Sequence, residues 1–174
     1  LADVFDMFTS DPDGQNERKL SDINDSAAGE DQPRWSPDGR WVAFTSFPKN
    51  LASIDLIAAD GGAVRTVVER DGTSGDPSWS PDGRCIVYDG GQGTTEDDQK
   101  KLDLKVWCDD GSAAGTVRRL TTTPDIDERE PDWSPDGSWI VFSARSNAAN
   151  TTDRWDIWRI HPDGTGRERL LDWP

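Results

Sequence analysis

Cys85, Cys108, His161 and the acid-rich stretch TTTPDIDEREPD (Thr121 to Asp132) are the residues whose types and spacing offer chemistry. There is no C-x-x-C and no further cysteine, so a thiolate metal centre is not expected. His161 is the single histidine, so any Ser-His-Asp triad would have to use it. It stands beside a Pro-Asp-Gly turn, and no Gly-x-Ser-x-Gly elbow exists, so His161 is expected to be a surface turn residue and the chain non-catalytic. The acid-rich stretch reads as a solvated loop. Asp125, Asp127 and Glu128 are its candidate cation ligands, and Ca2+ is the ion such oxygens would take. No full calcium loop of EF-hand type is present, so no resident metal or cofactor is expected.

The elements that must position these residues announce themselves by repetition. PRWSPDGRWVAF (Pro33 to Phe44), PSWSPDGRCIVY (Pro77 to Tyr88) and PDWSPDGSWIVF (Pro131 to Phe142) are one phrase written three times. Its tryptophans, Trp35, Trp79 and Trp133, lie 44 and 54 residues apart. A second phrase trails each copy, at Ser53–Gly62, Asp103–Gly111 and Asp156–Gly164, and stands alone once at Asp6–Gly14. Gly14, Gly61, Gly111 and Gly164 fall in register, as do Met7, Ile54, Leu104 and Ile157. Each unit reads as four short strands. Pro presets φ, Asp38, Asp82 or Asp136 bonds the backbone, and Gly takes positive φ, so Ser-Pro-Asp-Gly makes a tight turn between the first two strands. Four strands per unit at about this period describe propeller blades. The repeated Trp is expected to wedge between neighbouring blades, because one blade cannot bury both faces alone. Trp155 and Trp173, with weaker repeat partners, are expected to face outward.

In this frame Cys85 opens the second strand of the middle blade and Cys108 ends the third. Antiparallel pairing puts the two in bridging range. Trp41 and Trp139 match Cys85, and Ala58 and His161 match Cys108, so the change is paired within one blade. A disulfide and two buried thiols both fit; the paired change favours the disulfide. It would staple the blade carrying the inserted stretch Asp89–Asp103, which is expected to be an exposed hairpin loop, and would imply an oxidising compartment. The residues before the inner-strand prolines are Gln32, Asp76 and Glu130. In a closed ring they would circle one mouth of the central channel as a partly acidic collar, suited to a cation or a basic peptide.

These two phrases together, PxWSPDGxxIxF and then DIWxxxxDGxxxxxL, resemble the WD40-like (PD40) repeat of the TolB-like β-propellers. The same repeat recurs in the propeller domains of prolyl-oligopeptidase-type and tricorn-type proteases. The resemblance covers nearly the whole chain and implies an all-β propeller. The units are the outer half of a blade (1–20), a blade at 33–73, a blade at 77–123 with its inserted loop 89–103, and a blade at 131–172. The chain departs from the family in count: members usually close a ring of six or seven blades, and three and a half cannot close. A fragment of a longer chain, mutual completion by copies, and an open arc all fit this count.

Bulk properties narrow the partners. The 174 residues carry 34 acidic against 19 basic side chains, a net charge of -15. A nucleic-acid backbone or an anionic membrane surface would need the reverse. No apolar run approaches the roughly 20 residues of a membrane-spanning helix, and LADVFDMF lacks the pattern of a signal peptide. Asn24 and Asn150 head N-x-[ST] acceptor patterns in expected loops. The leading expectation is a non-catalytic module that binds proteins or peptides, basic ones included, in an extracellular or periplasmic setting. Alternatives are the gating propeller of a peptidase whose catalytic domain lies elsewhere, and a structural subunit that self-assembles through exposed blade faces into a ring or filament.

Overall fold

The computed structural model describes residues 6–20, 29–47, 51–69, 71–72, 75–92, 101–112, 114–146 and 154–171. Every regular element in them is a β-strand. The half-blade is β1 (Phe8–Thr9) and β2 (Arg18–Lys19). The first blade is β3 (Glu30–Trp35), β4 (Trp41–Ser46), β5 (Ser53–Ala58) and β6 (Arg65–Val68). The second is β7 (Ser78–Trp79), β8 (Cys85–Gly91), β9 (Leu102–Cys108) and β10 (Thr116–Arg119). The third is β11 (Ile126–Trp133), β12 (Ile140–Ser146), β13 (Asp156–Ile160) and β14 (Glu168–Leu171). Each blade is an antiparallel meander in chain order, and β1 pairs β2 alone. Among the described residues this is an all-β partial propeller of three four-stranded blades and half of another.

The core lies in layers between blades. Successive residues of a strand face opposite sides of its sheet. In β4, Val42 and Phe44 join Met7 and Leu20 of the half-blade, while Ala43 joins Ile86, Tyr88 and Trp107 of the second blade. Val87, Leu104 and Val106 then meet Ile140, Phe142 and Ile160 of the third. Strands β4, β8 and β9 are therefore buried along nearly their whole length.

The three Ser-Pro-Asp-Gly turns share one geometry. Ser36, Ser80 and Ser134 each donate a hydroxyl to the aspartate two residues on, at 2.6 Å. The same hydroxyl oxygens accept the N–H of Trp41, Cys85 and Trp139 at 2.9 Å. Gly39, Gly83 and Gly137 hold φ of 69°, 70° and 74°, the left-handed region that glycine enters without strain.

Three features differ from the sequence reading. The inner strands of the first and third blades begin upstream of the proline, at Glu30 and Ile126, so half of the acid-rich stretch is strand rather than loop. The ends of the insertion are strand too, and Asp89 and Asp103 are buried. Trp79 and Trp133 pack against the layers between blades, but Trp35 is 55% exposed, because no inner strand of a preceding blade covers it among the described residues.

Candidate functional site

Gln32, Asp76 and Glu130 all adopt left-handed backbone, with φ of 56°, 35° and 53°. A following proline disfavours the right-handed helical region for each. At Gln32 and Glu130 the strand register also shifts, between Asp31 and Arg34 and between Arg129 and Asp132, so each sits in a bulge. Neighbouring blades hold these bends. The Gln32 side-chain oxygen accepts the Asp76 N–H at 3.2 Å, and Asp89 accepts the Glu130 N–H at 3.1 Å. Strained non-glycine backbone persists where surrounding structure over-determines it, and such positions cluster at ligand sites.

The bends open a cavity of about 300 Å3 lined by Arg34, Asp76, Glu130, Pro131 and Asp132. Asp76 and Glu130 come together there; Gln32 stands one blade back, attached through Asp76. Three acidic residues and one arginine line it, so the cavity suits a cationic side chain. Asp132 is fixed by the Ser78 hydroxyl at 2.8 Å, and that hydroxyl in turn accepts the Trp133 N–H at 3.1 Å. The sequence reading did not assign Arg34 and Asp132 to the site. Their position directly after the proline was the available signal.

The candidate cation ligands do not converge. Asp127 and Glu128 are consecutive on β11 and so point to opposite faces of the sheet. Glu128 is fully buried; it accepts hydroxyl hydrogen bonds from Thr121 and from Thr123 (2.9 Å) and pairs with Arg167 at 2.8 Å. Burial nevertheless pushes its carboxyl above the usual range, against those bonds. Asp127 pairs with Arg129 at 3.2 Å and Arg145 at 3.3 Å. Asp125 is exposed. Asp127 and Glu128 are thus already paired with protein groups, and among the described residues no three His, Cys, Asp or Glu side chains are grouped to hold a metal.

Cys85 and Cys108 lie directly opposite on β8 and β9, with Cα atoms 4.1 Å apart, and are joined by a disulfide of S–S 2.05 Å. The bond packs in the layer facing the third blade. His161 stacks on Trp139 at 3.7 Å, and its Nδ1 lies 2.9 Å from the Ser138 carbonyl. Trp155 is 37% exposed; Trp173, Asn24 and Asn150 lie outside the described residues. A second polar cluster also went unread: Lys105 bonds both oxygens of Asp71 at 2.6 and 2.7 Å, and Tyr88 donates to Asp71 at 3.1 Å. Burial, then the Asp71 charge, holds the Tyr88 phenol well above its ordinary value. The lysine inside the apolar run LDLKVW was the signal for it.

Residues 2–169 match the TolB β-propeller domain family, PD40. Two curated relatives are each 31% identical to the chain. One is the uncharacterized peptidase YuxL of Bacillus subtilis, matched over 87% of this chain and 20% of its own length. The other is the uncharacterized protein Atu1656 of Agrobacterium fabrum, matched over 80% of this chain and 47% of its own length. The chain thus spans less than half of either. Among solved structures, a TolB-like protein from Agrobacterium tumefaciens superposes with a TM-score of 0.72 at 25% identity, covering 99% of this chain and 64% of that one. TolB from Acinetobacter baumannii gives 0.72 at 22%, covering 95% and 37%. A prolyl endopeptidase gives 0.70 at 18%, covering 97% and 26%; at that identity the likeness is one of fold.

Proposed function

This chain belongs to the TolB β-propeller family, and on that premise we propose that it is a non-catalytic binding module whose channel-mouth cavity takes a basic side chain of a protein or peptide. One observation carries the reading. Asp76 and Glu130, equivalent residues of successive blades, are held in left-handed backbone and share one acidic cavity with Asp132 and Arg34. A lysine or arginine entering it would exchange water for carboxylate partners, and the net charge of -15 would speed its approach. The Cys85–Cys108 bond supports an oxidising, extracellular or periplasmic setting.

The test is fluorescence anisotropy with labelled Lys/Arg-containing peptides against neutral and acidic controls, at low and high salt. Basic peptides bind in preference, and the double variant Asp76→Asn/Glu130→Gln weakens them by about tenfold, or 1.4 kcal/mol. Equal binding of the neutral peptide, or a double variant that binds as well as the parent, defeats the reading. A second reading, a propeller that gates a peptidase, draws support from the similarity to YuxL, whose name calls it a peptidase. A longer parent chain with a downstream Gly-x-Ser-x-Gly segment would decide for it.

A further inference from the structure

We propose that the first blade carries a second binding site, at the end remote from the channel mouth, where Trp41 receives a flat N–H-donating side chain, guanidinium or imidazole, presented by a peptide. The inference rests on how one position is filled in each of the three complete blades. It is independent of what the channel mouth binds.

The position lies where the second and third strands meet, beside the turns that follow β3 and β5 and their counterparts. In the second blade the Cys85–Cys108 bond fills it. In the third, the His161 ring stacks on Trp139, with centroids 3.7 Å apart and planes at 25°. Gly166 leaves room for that ring, because a Cβ there would meet its Cδ2 at 2.5 Å. In the first blade Trp41 stands opposite Ala58, a side chain too short to cover an indole. A cavity of about 360 Å3 opens there, lined by Trp41, Ala58, Asp60 and Arg40 among others. The first blade has packed neighbours on both sides, the half-blade and the second blade, so the opening is not an end of the blade series.

A second departure from the repeat falls at the same place. Asp60, Asp110 and Asp163 are equivalent turn residues. Asp110 accepts the Ser112 N–H at 2.9 Å, and Asp163 accepts the N–H and hydroxyl of Thr165 at 2.9 and 2.7 Å. The first blade has Gly62 at that point, with no hydroxyl and a φ of 122°. Among the described residues no bond ties the Asp60 carboxylate to its turn. The backbone is fixed instead by Arg18, which donates to the carbonyls of Ala59 at 2.6 Å and Asp60 at 3.1 Å. Arg40 is paired with Asp38 at 3.8 Å.

The cavity thus joins an indole wall to a carboxylate that the turn does not use. The third blade shows what such a tryptophan accepts. Besides the imidazole, the Arg159 guanidinium carbon lies 3.9 Å from the Trp139 ring centroid. Both groups are planar, stack on an indole and donate N–H bonds that a carboxylate can accept. A lysine ammonium has no flat face and would fit this wall less well.

The experiment titrates the intact chain, labelled with nitrogen-15 at its tryptophan indoles, with acetylated tripeptides bearing a central arginine, histidine, lysine or alanine. The Trp41 signal is assigned by its loss in Trp41→Phe. The arginine and histidine peptides should shift it saturably, and at least about threefold more tightly than the lysine peptide. Copying the third blade with Ala58→His/Ala63→Gly should fill the cavity from within and weaken both about tenfold or more. Asp60→Asn, a surface change, should weaken them too. The channel-mouth variant Asp76→Asn/Glu130→Gln should leave the Trp41 titration unchanged, which separates this site from that one. Equal shifts with the lysine or alanine peptide, binding that survives both cavity variants, or no saturable shift overturns the proposal. So does a Trp41 shift produced by a neutral disaccharide and not by the peptides, because that assigns the cavity to a sugar.

Discussion

Glu128 is a carboxylate with no exposed surface, held by Thr121, Thr123 and Arg167. Its truncation leaves Arg167, whose side chain is 21% exposed, facing an empty partner site. Glu128→Ala should cost about 3 kcal/mol by urea denaturation, with Glu128→Gln costing less because its amide oxygen still accepts one threonine hydroxyl. Charge on this residue also has a pH signature. Burial raises Glu128 and Asp103 above their ordinary values, so the folded chain binds these protons more tightly than the unfolded chain. Their contribution to stability is complete below the unfolded values, about 4, and is lost as pH rises through the raised folded values. The turn aspartates act in the opposite sense. Serine hydroxyls and backbone N–H groups lower Asp38, Asp82 and Asp136, the last to about 2. Their contribution is present above the unfolded values and is lost as pH falls through the lowered ones. Carboxyl-carbon NMR titration should find the two sets on opposite sides of the ordinary range, and finding them together would contradict this account. The turn set was legible in sequence because its bonds are local, two residues apart. The Glu128 set was not, because its arginine lies 39 residues away, just before β14, and only the folded sheet joins them.

Blades are the next scale. Trp79 and Trp35 occupy one repeat position in different surroundings, so the same substitution should separate them. Trp79→Ala opens the layer between the first and second blades and should cost about 3 kcal/mol, whereas Trp35→Ala should stay within about 0.5 kcal/mol in the isolated chain. Replacing Cys85 and Cys108 with serine frees a loop whose ends lie 23 residues apart and should lower stability by about 3 kcal/mol, read from denaturation midpoints with and without reductant. The strand and turn pattern was readable because each phrase carries its own alternation and its own Pro-Asp-Gly punctuation. Upstream extension of β3 and β11 was hidden. A proline inside each strand argued for a boundary, while the left-handed bends at Gln32 and Glu130 let pairing resume on the far side.

At the scale of the whole molecule, a sequence pI near 4.3 accompanies open surfaces at both ends of the blade series. Phe8 and Trp35 lie exposed at one end, and Trp155, Ile157 and Leu171 at the other. Self-repulsion protects these surfaces at neutral pH and vanishes near the pI. Light scattering should therefore rise sharply as pH approaches about 4.3. The disulfide has a consequence for how the backbone tolerates a break. Cys85 and Cys108 bracket the insertion, at whose end stands exposed Lys101, and seven residue pairs zip β8 to β9 between them. A tryptic nick after Lys101 would leave two polypeptides that run as one band on a non-reducing gel and as two after reduction. Backbone continuity is redundant at this point, which makes the insertion the place to splice in a passenger sequence or to split the protein into two reporters that reassemble under oxidising conditions.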